Sequence, residues 1–362
     1  MKIGILTYHR AYNFGAFLQA FALKSFLEQQ GHEVSFVDYW PEEHALLNKP
    51  FRKESVSGLK SFVHECLLYR NRHKRYSRFS KIQVQYLGIE RAIQYTNPEQ
   101  LASLNYDCII YGSDQIWWKN RLAGRTSFDG VYWGDFVPAE IRKVAYAASM
   151  GVINVADEDK TYIREHLRNF QSLSVRETVL ADTIRDLADS DVSVVLDPTL
   201  LVDASFWDRY VHDVPEKDYI LYYKVMGNEA CDRAVESFGH EQGLKVITVS
   251  GSLNTWRRLD SYSRNADAFG FISLIKHARY VVSTSFHGVA FSIVFKKPFV
   301  AMGMGDNSHR VQSLLQSLGL CEQMNDSPQD GISIPIPDYS QVAKRLSAIR
   351  ACSADYLKSA LQ

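Results

Sequence analysis

The chain has 362 residues, 46% of them hydrophobic, and its 41 Lys and Arg side chains are balanced by 41 Asp and Glu side chains. This length and apolar content allow a large core and predict two folded domains, so an intrinsically disordered protein is excluded. The balanced charge also excludes a general attraction to nucleic acid, and any electrostatic partner must bind a local patch.

Five cysteines are spread along the chain without a C-x-x-C pair. This spacing argues against a disulfide framework and against a zinc site, and it favours a reducing cytoplasm. The first residues, MKIGILTYHR, contain too few apolar side chains for a signal peptide, and no later stretch approaches the length of a membrane span. We therefore expect a soluble cytoplasmic protein.

The first predicted elements form a β-α-β unit. The apolar run KIGILTY (2–8) predicts a strand, and YHRAYNFGA (8–16) predicts a polar loop. Apolar residues in FLQAFALKSFLEQQG (17–31) recur at helical spacing, and HEVSFVDYW (32–40) alternates like a strand. A right-handed unit with two parallel strands is expected.

A basic insert follows, within residues 44–95. Between residues 49 and 91 the sequence holds eleven Lys or Arg against three Glu and no Asp, with Phe, Tyr and Leu interleaved. One interpretation is contact with an anionic membrane surface, where polybasic segments gain about 1 kcal/mol for each cation. The alternative is a solvated helical face or a contact between subunits.

The α/β alternation then resumes. Strand-like apolar runs lie at 106–118, 142–151, 172–177 and 192–201, and a helical pattern lies at 162–171. Three of these runs end in small or polar residues, as strands do where their carboxyl ends face a ligand crevice.

A second alternating series begins after VHDVPEKD (211–218), which has the composition of a linker. We place an N-terminal Rossmann-like domain at 1–212 and a C-terminal one at 213–338, and expect a last helix at 339–362 that could pack back on the first domain. The predicted fold class is α/β, with two doubly wound Rossmann-like domains facing a cleft, similar to the GT-B arrangement of two-domain glycosyltransferases.

The stretch STSFHGV puts one histidine between a predicted strand and a predicted helix. If His287 opens the helix, its ring and the first free N–H groups lie at the positive end of the helix dipole, where anions bind. Gly288 would let a ligand approach the backbone closely. Ser283, Thr284 and Ser285 supply hydroxyl groups beside it. The alternative is a structural histidine at the start of a helix.

This layout of strand, small-residue loop, helix, Lys-Pro and strand also occurs in the donor-binding domain of two-domain glycosyltransferases. Those enzymes usually place a carboxylate on the helix to hold the ribose of a nucleotide-sugar donor. No carboxylate occurs between Thr284 and Gly305. The layout therefore supports the fold and weakly opposes a nucleotide donor, because fold alone does not fix function.

Six motifs occur in one order over most of the chain: ILTYHRAYNFGAFLQAFAL, YGSDQIWW, AYAASMG, SVRE, VLDPTLL and TSFHGVAFS. Together they resemble the polysaccharide pyruvyl transferase family. The resemblance implies an enzyme that takes pyruvate from phosphoenolpyruvate and attaches it to two hydroxyls of a sugar as a ketal, in capsule or exopolysaccharide biosynthesis. The alternatives are a glycosyltransferase with a nucleotide-sugar donor and a non-catalytic glycan-binding relative.

The resemblance assigns donor-binding roles position by position. The arginine of the S-x-R-E element falls on Arg176, and the histidine of the H-G/A element falls on His287; both are also candidate catalytic residues. Some relatives have a lysine farther along the chain, and here that position falls near Asn307, so Arg310 is the candidate cation. The alternative for Arg310 is an exposed residue in the first turn of a helix. Glu177 is expected to fix Arg176 in place.

The chemistry that the resemblance implies suits these residue types. Phosphoenolpyruvate carries a carboxylate and a phosphate, which guanidinium groups and helix N-termini bind well, so Ser285 and Gly288 are further donor-binding candidates. An imidazole titrates near neutrality, so His287 can donate a proton or stabilise the departing phosphate. Asp114, after the strand IIYGS, is the candidate catalytic base for the acceptor hydroxyl; alternatively it caps a helix.

The acceptor sugar is expected beside polar and aromatic side chains that follow the first and third predicted strands. A tryptophan at such a position could instead belong to the core. The acceptor-binding candidates are His9, Arg10, Asn13, Gln115 and Trp117.

No metal-binding constellation stands out, so we expect no metal and no cofactor apart from phosphoenolpyruvate as donor substrate. The expected partners are phosphoenolpyruvate and a sugar or lipid-linked oligosaccharide acceptor. Peripheral contact with the inner face of an anionic cytoplasmic membrane is one interpretation of the basic insert. No nucleic acid partner is expected.

Overall fold

The computed structural model describes residues 1–119, 127–153, 155–188, 190–226, 229–251, 265–305 and 308–362. Two parallel β-sheets with helices packed against them confirm the predicted α/β fold class. Within the described ranges, no helix combines the length and the apolar character that crossing a membrane requires.

The first sheet is built from the N-terminal half of the chain. Its strands are β1 (Lys2–Leu6), β2 (Glu33–Phe36), β3 (Cys108–Tyr111), β4 (Arg142–Ala148), β5 (Ser172–Val175) and β6 (Val192–Val194). All pairs are parallel, and the spatial order is β2-β1-β3-β4-β5-β6. The order reverses between β1 and β3, and such a reversal leaves a crevice at the carboxyl ends of the two strands.

Seven α-helices lie in the described parts of this half. They are α1 (Phe14–Gln29), α2 (Glu42–Leu47), α3 (Leu59–Ile82), α4 (Asp157–Leu167), α5 (Thr178–Ala188), α6 (Pro198–Leu201) and α7 (Ala204–Asp208). Helix α1 begins at Phe14, three residues before the predicted start at Phe17, because the Asn13 side chain caps it by accepting a hydrogen bond from the Ala16 N–H at 3.2 Å.

The second sheet comes from the C-terminal half. Its strands are β7 (Tyr219–Lys224), β8 (Lys245–Ser250), β9 (Tyr280–Ser283), β10 (Phe299–Met302) and β11 (Met324–Asn325). The order β11-β10-β9-β7-β8 is again all parallel and reverses between β7 and β9. The accompanying helices are α8 (Glu229–Gln242), α9 (Ala268–His277), α10 (Phe286–Val294), α11 (His309–Leu318) and α12 (Tyr339–Ala360).

Other predicted boundaries also differ from the structure. The strand predicted over 192–201 ends at Val194, and Asp197 begins α6 by accepting a hydrogen bond from the Thr199 N–H at 3.0 Å. An aspartate followed by proline is a helix start, and the apolar run around it hid that signal. Helix α10 begins at Phe286, so His287 lies inside its first turn.

Two arginines of the basic insert are buried, and one of them contacts the body of the protein. Arg72 is buried and donates to Glu65 at 2.7 Å. Arg75 is also buried, with its guanidinium 4.4 Å from the centre of the Phe14 ring and its Nη1 2.9 Å from the Ser250 carbonyl oxygen. Arg75 therefore ties α3 to the second half, Arg72 pairs within α3, and neither cation is part of an exposed basic face.

One apolar cluster continues from the first half into the second. Phe14 of α1 stacks on Phe271 of α9 with ring centres 4.8 Å apart, and Phe21 meets Phe269 edge-on at 5.8 Å. Burying a side chain of this size stabilises the fold by about 1.5–3 kcal/mol. The two halves therefore share one core.

The last helix contacts both halves. The Tyr356 hydroxyl donates to the Ala145 carbonyl oxygen of β4 at 2.9 Å. At the other end of α12, the Tyr339 hydroxyl donates to the carbonyl oxygen of Lys297, which precedes β10. Helix α12 thus joins the first sheet to the second half.

Candidate active site

A cavity of about 310 Å³ lies between the two sheets, where the carboxyl ends of their strands face each other. The loops after β1 and β3 line it from one side, and the loops after β7 and β9 line it from the other. Both strand-order reversals therefore open onto the same space, the usual ligand position in doubly wound folds. Polar lining residues include Asn13, Asp114, Gln115, Thr284, Ser285, His287 and Arg310.

Thr284 joins the two loops of the second half. Its hydroxyl oxygen accepts from the Val225 N–H at 2.9 Å and donates to the Met226 carbonyl oxygen at 3.0 Å. Ser285 is the N-cap of α10, and its side chain makes no capping hydrogen bond. The hydroxyl of Ser285 therefore stands at the positive end of this helix, on the cavity wall.

His287 lies in the first turn of α10 and is 6% exposed. Burial lowers the pKa of its imidazole, so the ring is neutral at pH 7. Its Nε2 has no hydrogen-bond partner among the described residues and lies 3.9 Å from Asp197 Oδ2. The other face of the ring packs on Gly15, where a Cβ would overlap the imidazole.

Asp197 is a buried site residue that the sequence analysis quoted only within VLDPTLL. Its Oδ2 accepts from Arg176 Nη1 at 2.6 Å and from Ser113 Oγ at 3.1 Å. Burial alone would raise the pKa of this carboxyl, but the charge of Arg176 and the hydrogen bonds from Thr199 outweigh it and hold the pKa below its usual value. Asp197 is therefore an ionised group behind the cavity.

Arg176 stands behind the cavity wall. Its guanidinium lies 4.8 Å from the centre of the Phe286 ring, and its Nη2 is 3.9 Å from Asp114 Oδ1. Asp114 lines the cavity, whereas Arg176 is buried and lines a smaller space on the other side. In this structure Arg176 therefore positions Asp197, and it does not itself reach the cavity.

Asp114 presents its carboxylate to the cavity from an uncommon backbone conformation, with a φ of 82°. Left-handed conformations of residues other than glycine cost free energy and cluster at functional sites. The Asp114 carbonyl oxygen accepts from the Ile116 N–H at 2.8 Å and from the Ser149 N–H at 3.1 Å, which holds the turn. Residues 115–118 form no helix, so the alternative of a helix cap does not apply.

Arg310, in the first turn of α11, faces the cavity opposite Asp114. With the Gln115 amide oriented so that its oxygen faces the guanidinium, that oxygen accepts from Arg310 Nη2 at 2.8 Å. Burial, together with the nearby charge of Arg176, lowers the pKa of Arg310 to about 10, so it remains a cation at pH 7. The neighbouring position considered from sequence, Asn307, lies outside the described residues.

Glu177 follows Arg176 and is completely buried. Its Oε1 accepts from the Ser149 hydroxyl, and its Oε2 has no hydrogen-bond partner in the described part of the chain. Burial raises the pKa of this carboxyl. Glu177 thus acts on Arg176 through its charge and supports the turn at Ser149, and no hydrogen bond joins it to the guanidinium among the described residues.

The model of the family described as "Polysaccharide pyruvyl transferase" matches residues 13–306. The chain belongs to this family. The match spans all the residues named above as lining the cavity except Arg310, which lies just beyond its end. No curated protein matches the sequence.

Solved structures with weak similarity to this family member include an epimerase and two transferases. The UDP-GlcNAc 2-epimerase from Methanocaldococcus jannaschii is 11% identical, with a TM-score of 0.41 over 96% of this chain and 92% of that chain. The glycosyltransferase SnogD from Streptomyces nogalater is 11% identical, with a TM-score of 0.37 over 99% of both chains. The E. coli heptosyltransferase WaaC is 11% identical, with a TM-score of 0.37 over 83% of this chain and 88% of that chain.

Two predicted acceptor residues of this pyruvyl transferase family member lie away from the cavity. His9 is buried, with its Nε2 3.0 Å from Asp38 Oδ1 and its ring stacked on Phe36. Arg10 pairs with the same carboxylate and lines a different cavity. The buried Asp38 draws both side chains away from the site, whereas Asn13 of the same loop lines it.

Trp117, a predicted acceptor residue, belongs to the core, which is the alternative that the sequence left open. Trp117 is fully buried, stacks on Trp133 with ring centres 4.9 Å apart, and donates from Nε1 to the Tyr132 carbonyl oxygen at 3.0 Å. Its neighbour Trp118 is 50% exposed and lines the cavity, as does Gln115. An aromatic face at the cavity thus exists, but Trp118 supplies it.

Gly288 does not face the cavity. A Cβ at this position would overlap the Ser283 Oγ and press on the Tyr223 ring. Glycine is therefore required because α10 packs closely on β9, and not because a ligand approaches its backbone.

Proposed function

We propose that the protein transfers pyruvate from phosphoenolpyruvate to two hydroxyls of a sugar, forming a ketal and releasing inorganic phosphate, in cell-surface polysaccharide biosynthesis. The observation that carries this proposal is the convergence of His287 and Arg310, from the second half, with Asp114, from the first half, on one cavity. A cation, a neutral imidazole and a carboxylate around a small space suit an anionic donor beside a hydroxyl nucleophile.

In this proposal the donor lies against the second half. Arg310 binds one of its anionic groups, and the N-terminus of α10 with Ser285 binds the other, because both offer donors and positive charge. Arg176 acts from behind, by keeping Asp197 ionised next to His287. The reaction then needs no metal and no cofactor besides the two substrates.

The proposed reaction balances as follows. A proton adds to the methylene carbon of phosphoenolpyruvate, and the first sugar hydroxyl attacks the neighbouring carbon while Asp114 takes its proton. The bond from that carbon to the phosphate oxygen breaks, and the second hydroxyl closes the ring. Of the two protons lost by the hydroxyls, one balances the new methyl group and one leaves with phosphate. His287 is neutral in the free protein, and a bound phosphate dianion would raise its pKa, which suits it to protonate the leaving group.

The acceptor is placed on the side of the first half. Asn13 and Gln115 offer amide groups to sugar hydroxyls, and Trp118 offers a half-exposed ring at the cavity. Apolar ring faces with adjacent hydrogen-bonding groups suit a pyranose.

The test is to incubate the protein with phosphoenolpyruvate and a panel of free and lipid-linked galactosides and N-acetylhexosaminides. We expect release of inorganic phosphate and an acid-labile ketal in the product by mass spectrometry, both lost in Arg310→Ala. Consumption of a nucleotide sugar would instead identify the glycosyltransferase alternative, which no carboxylate on α10 supports. Glycan binding without turnover would identify a non-catalytic relative.

We further propose that α3 brings the enzyme to the inner face of an anionic cytoplasmic membrane. The N-terminal half of α3 exposes apolar side chains at helical spacing, Leu59 (80% exposed), Phe62 (47%), Val63 (49%) and Leu67 (58%). The exposed cations Lys60, Arg70 and Lys74 lie on the same helix. An apolar stripe flanked by cations is the pattern of helices that lie in a membrane interface.

The membrane proposal is tested by sedimentation with vesicles of neutral or anionic lipid. Wild type should bind anionic vesicles only, less as salt rises, and Arg70→Ser with Lys74→Ser should abolish binding. The buried Arg72 and Arg75 are left intact, because Arg72 pairs with Glu65 inside α3 and Arg75 bonds to the Ser250 carbonyl oxygen, so their loss would disturb the helix itself. Equal binding of wild type and variant would contradict the proposal, and a dimer in solution that dissociates on Leu67→Ser would identify a subunit contact instead.

A further inference from the structure

A second and larger cavity, of about 650 Å³, lies between α3, the residues after it and the loop that follows β1. It shares no lining residue with the His287 cavity. Arg10 and Tyr12 of the loop face the large cavity, whereas Tyr8, Ala11 and Asn13 face the His287 cavity. A single short loop therefore separates the two spaces.

The charge of the large cavity is positive. Its lining includes four cationic side chains, those of Arg10, Lys49, Lys81 and Arg91, and one carboxylate, that of Glu90. Asp38 pairs with Arg10 from behind. In the part of the chain that the structure describes, no ion pair engages the side chains of the other three cations. They therefore leave positive charge uncompensated around a concave space.

The wall between these charges is polar and aromatic. Ser77 and Ser80 of α3 line the cavity, and the Ser80 hydroxyl lies 3.1 Å from the Tyr12 hydroxyl. Tyr12 stacks on Tyr76 with ring centres 4.2 Å apart, which fixes its ring, and the buried Trp40 also lines the space. Cations with hydroxyl and aromatic groups suit a ligand that combines phosphate with sugar.

We propose that this large cavity binds the phosphate-bearing part of an elongated acceptor, a glycosyl phosphate or diphosphate, while its terminal sugar reaches the His287 cavity across the loop. The destination of the sugar rests on the proposed function. The anion site itself is independent of the proposed function, because its cations belong to the basic insert and to the loop after β1. It gives the insert a binding role in addition to any contact with a membrane.

The test is calorimetric titration with galactose 1-phosphate and with methyl galactoside as the phosphate-free control. Replacing two cations of the cavity, Lys49→Ser with Lys81→Ser, should weaken binding of galactose 1-phosphate about tenfold or more, since charge-assisted contacts are lost. Glu90→Gln should strengthen it. The matched control is Arg70→Ser with Lys74→Ser, which removes two exposed cations of α3 that do not line the cavity. It should leave the binding of free galactose 1-phosphate unchanged, although it is expected to abolish vesicle binding.

Two further arms separate the possible results. Arg310→Ala should leave galactose 1-phosphate binding intact; a loss in Arg310→Ala and none in the Lys49 and Lys81 variant would overturn the second site. Binding to neutral vesicles that carry a polyprenyl diphosphate sugar is compared with binding of the free sugar diphosphate, which shows whether the acceptor is lipid-linked. The variant with Lys49→Ser and Lys81→Ser must bind both ligands more weakly than wild type. Absence of pyruvyl transfer to any acceptor, with the lysine effect intact, would refute the proposed function but leave the anion site.

Discussion

Arg176 Nη1 donates to Asp197 Oδ2 at 2.6 Å, and both side chains are buried. The pair connects the end of β5 with the start of α6. The same carboxylate oxygen lies 3.9 Å from His287 Nε2, so an ion pair within the first half contacts the central imidazole of the second half. Asp197 and Arg176, which do not line the cavity, thus act on His287 together with the cavity-lining charges of Asp114 and Arg310.

Asp197→Asn should destabilise the protein, because it leaves the buried Arg176 without its counter-charge. Breaking one partner of a buried ion pair costs about 3–5 kcal/mol in the free energy of unfolding, measurable by urea denaturation. Asp182→Asn, which breaks the exposed pair with Arg185, is the matched control and should change little. Equal small changes in the free energy of unfolding for both substitutions would show that the buried pair does not stabilise the fold.

Arg310→Met should reduce activity alone, whereas Arg176→Met should reduce both activity and stability. Arg310 faces the cavity, so its loss should reduce kcat/KM for phosphoenolpyruvate by about 2–3 kcal/mol of transition-state stabilisation, with unchanged urea denaturation. Arg176 is buried against Asp197, so its loss should lower stability as well as activity. A stable Arg176→Met enzyme with a selectively raised KM for the donor would instead indicate direct donor contact.

His287 should make stability depend on pH. Burial holds the pKa of the folded imidazole below its ordinary value of 6.5, so in that interval the unfolded chain binds more protons than the folded one. Stability should therefore be complete above about pH 6.5 and decline as the pH falls toward the folded pKa. In His287→Gln this decline should be smaller, whereas His240→Gln, at an exposed position on α8, should match wild type. Parallel unfolding curves for wild type and His287→Gln between pH 5 and pH 7 would contradict the assignment.

Gly15→Ala should lower turnover, because a Cβ at this position overlaps the His287 ring and forces it to move. The control is Gly58→Ala, where a Cβ meets nothing within 4 Å and the φ of 174° is an extended conformation open to any residue. Steady-state kinetics of phosphate release would measure the difference. Full activity in Gly15→Ala would mean that the position of the ring is not critical.

Trp118→Ala and Trp117→Ala form a matched pair at adjacent residues. Loss of Trp118 should raise KM for the acceptor with little effect on stability, because its ring is half exposed at the cavity. Loss of Trp117 should cost about 3–5 kcal/mol of stability, as expected for a large core side chain. The reverse pattern would return the acceptor role to Trp117.

Most of the architecture could be predicted because buried parallel strands appear as short apolar runs that end in polar residues. The same rule led to Asp114 and His287, since both follow strands whose carboxyl ends form the site. Asp197 was not identified as a site residue, because the helix that it begins lies inside an apolar run. Its role also depends on a contact with Arg176, which lies 21 residues away in the sequence and leaves no local pattern.

The direction of side chains in loops could not be predicted from the sequence either. Trp117 and Trp118 follow a left-handed residue in an irregular turn, where no period of two or 3.6 indicates which of them faces inward. His9 and Arg10 could not be assigned either, because the buried Asp38 that orients them lies far along the chain.

The aromatic contacts between α1 and α9 and the two anchors of α12 restrict how substrates can enter. Swinging the halves apart would expose Phe14 and Phe271, at about 1.5–3 kcal/mol for each ring, and would break the bond of Tyr339 or that of Tyr356. We therefore expect the substrates and products of the proposed reaction to exchange while the two halves stay together, and turnover to be insensitive to solvent viscosity beyond ordinary diffusion.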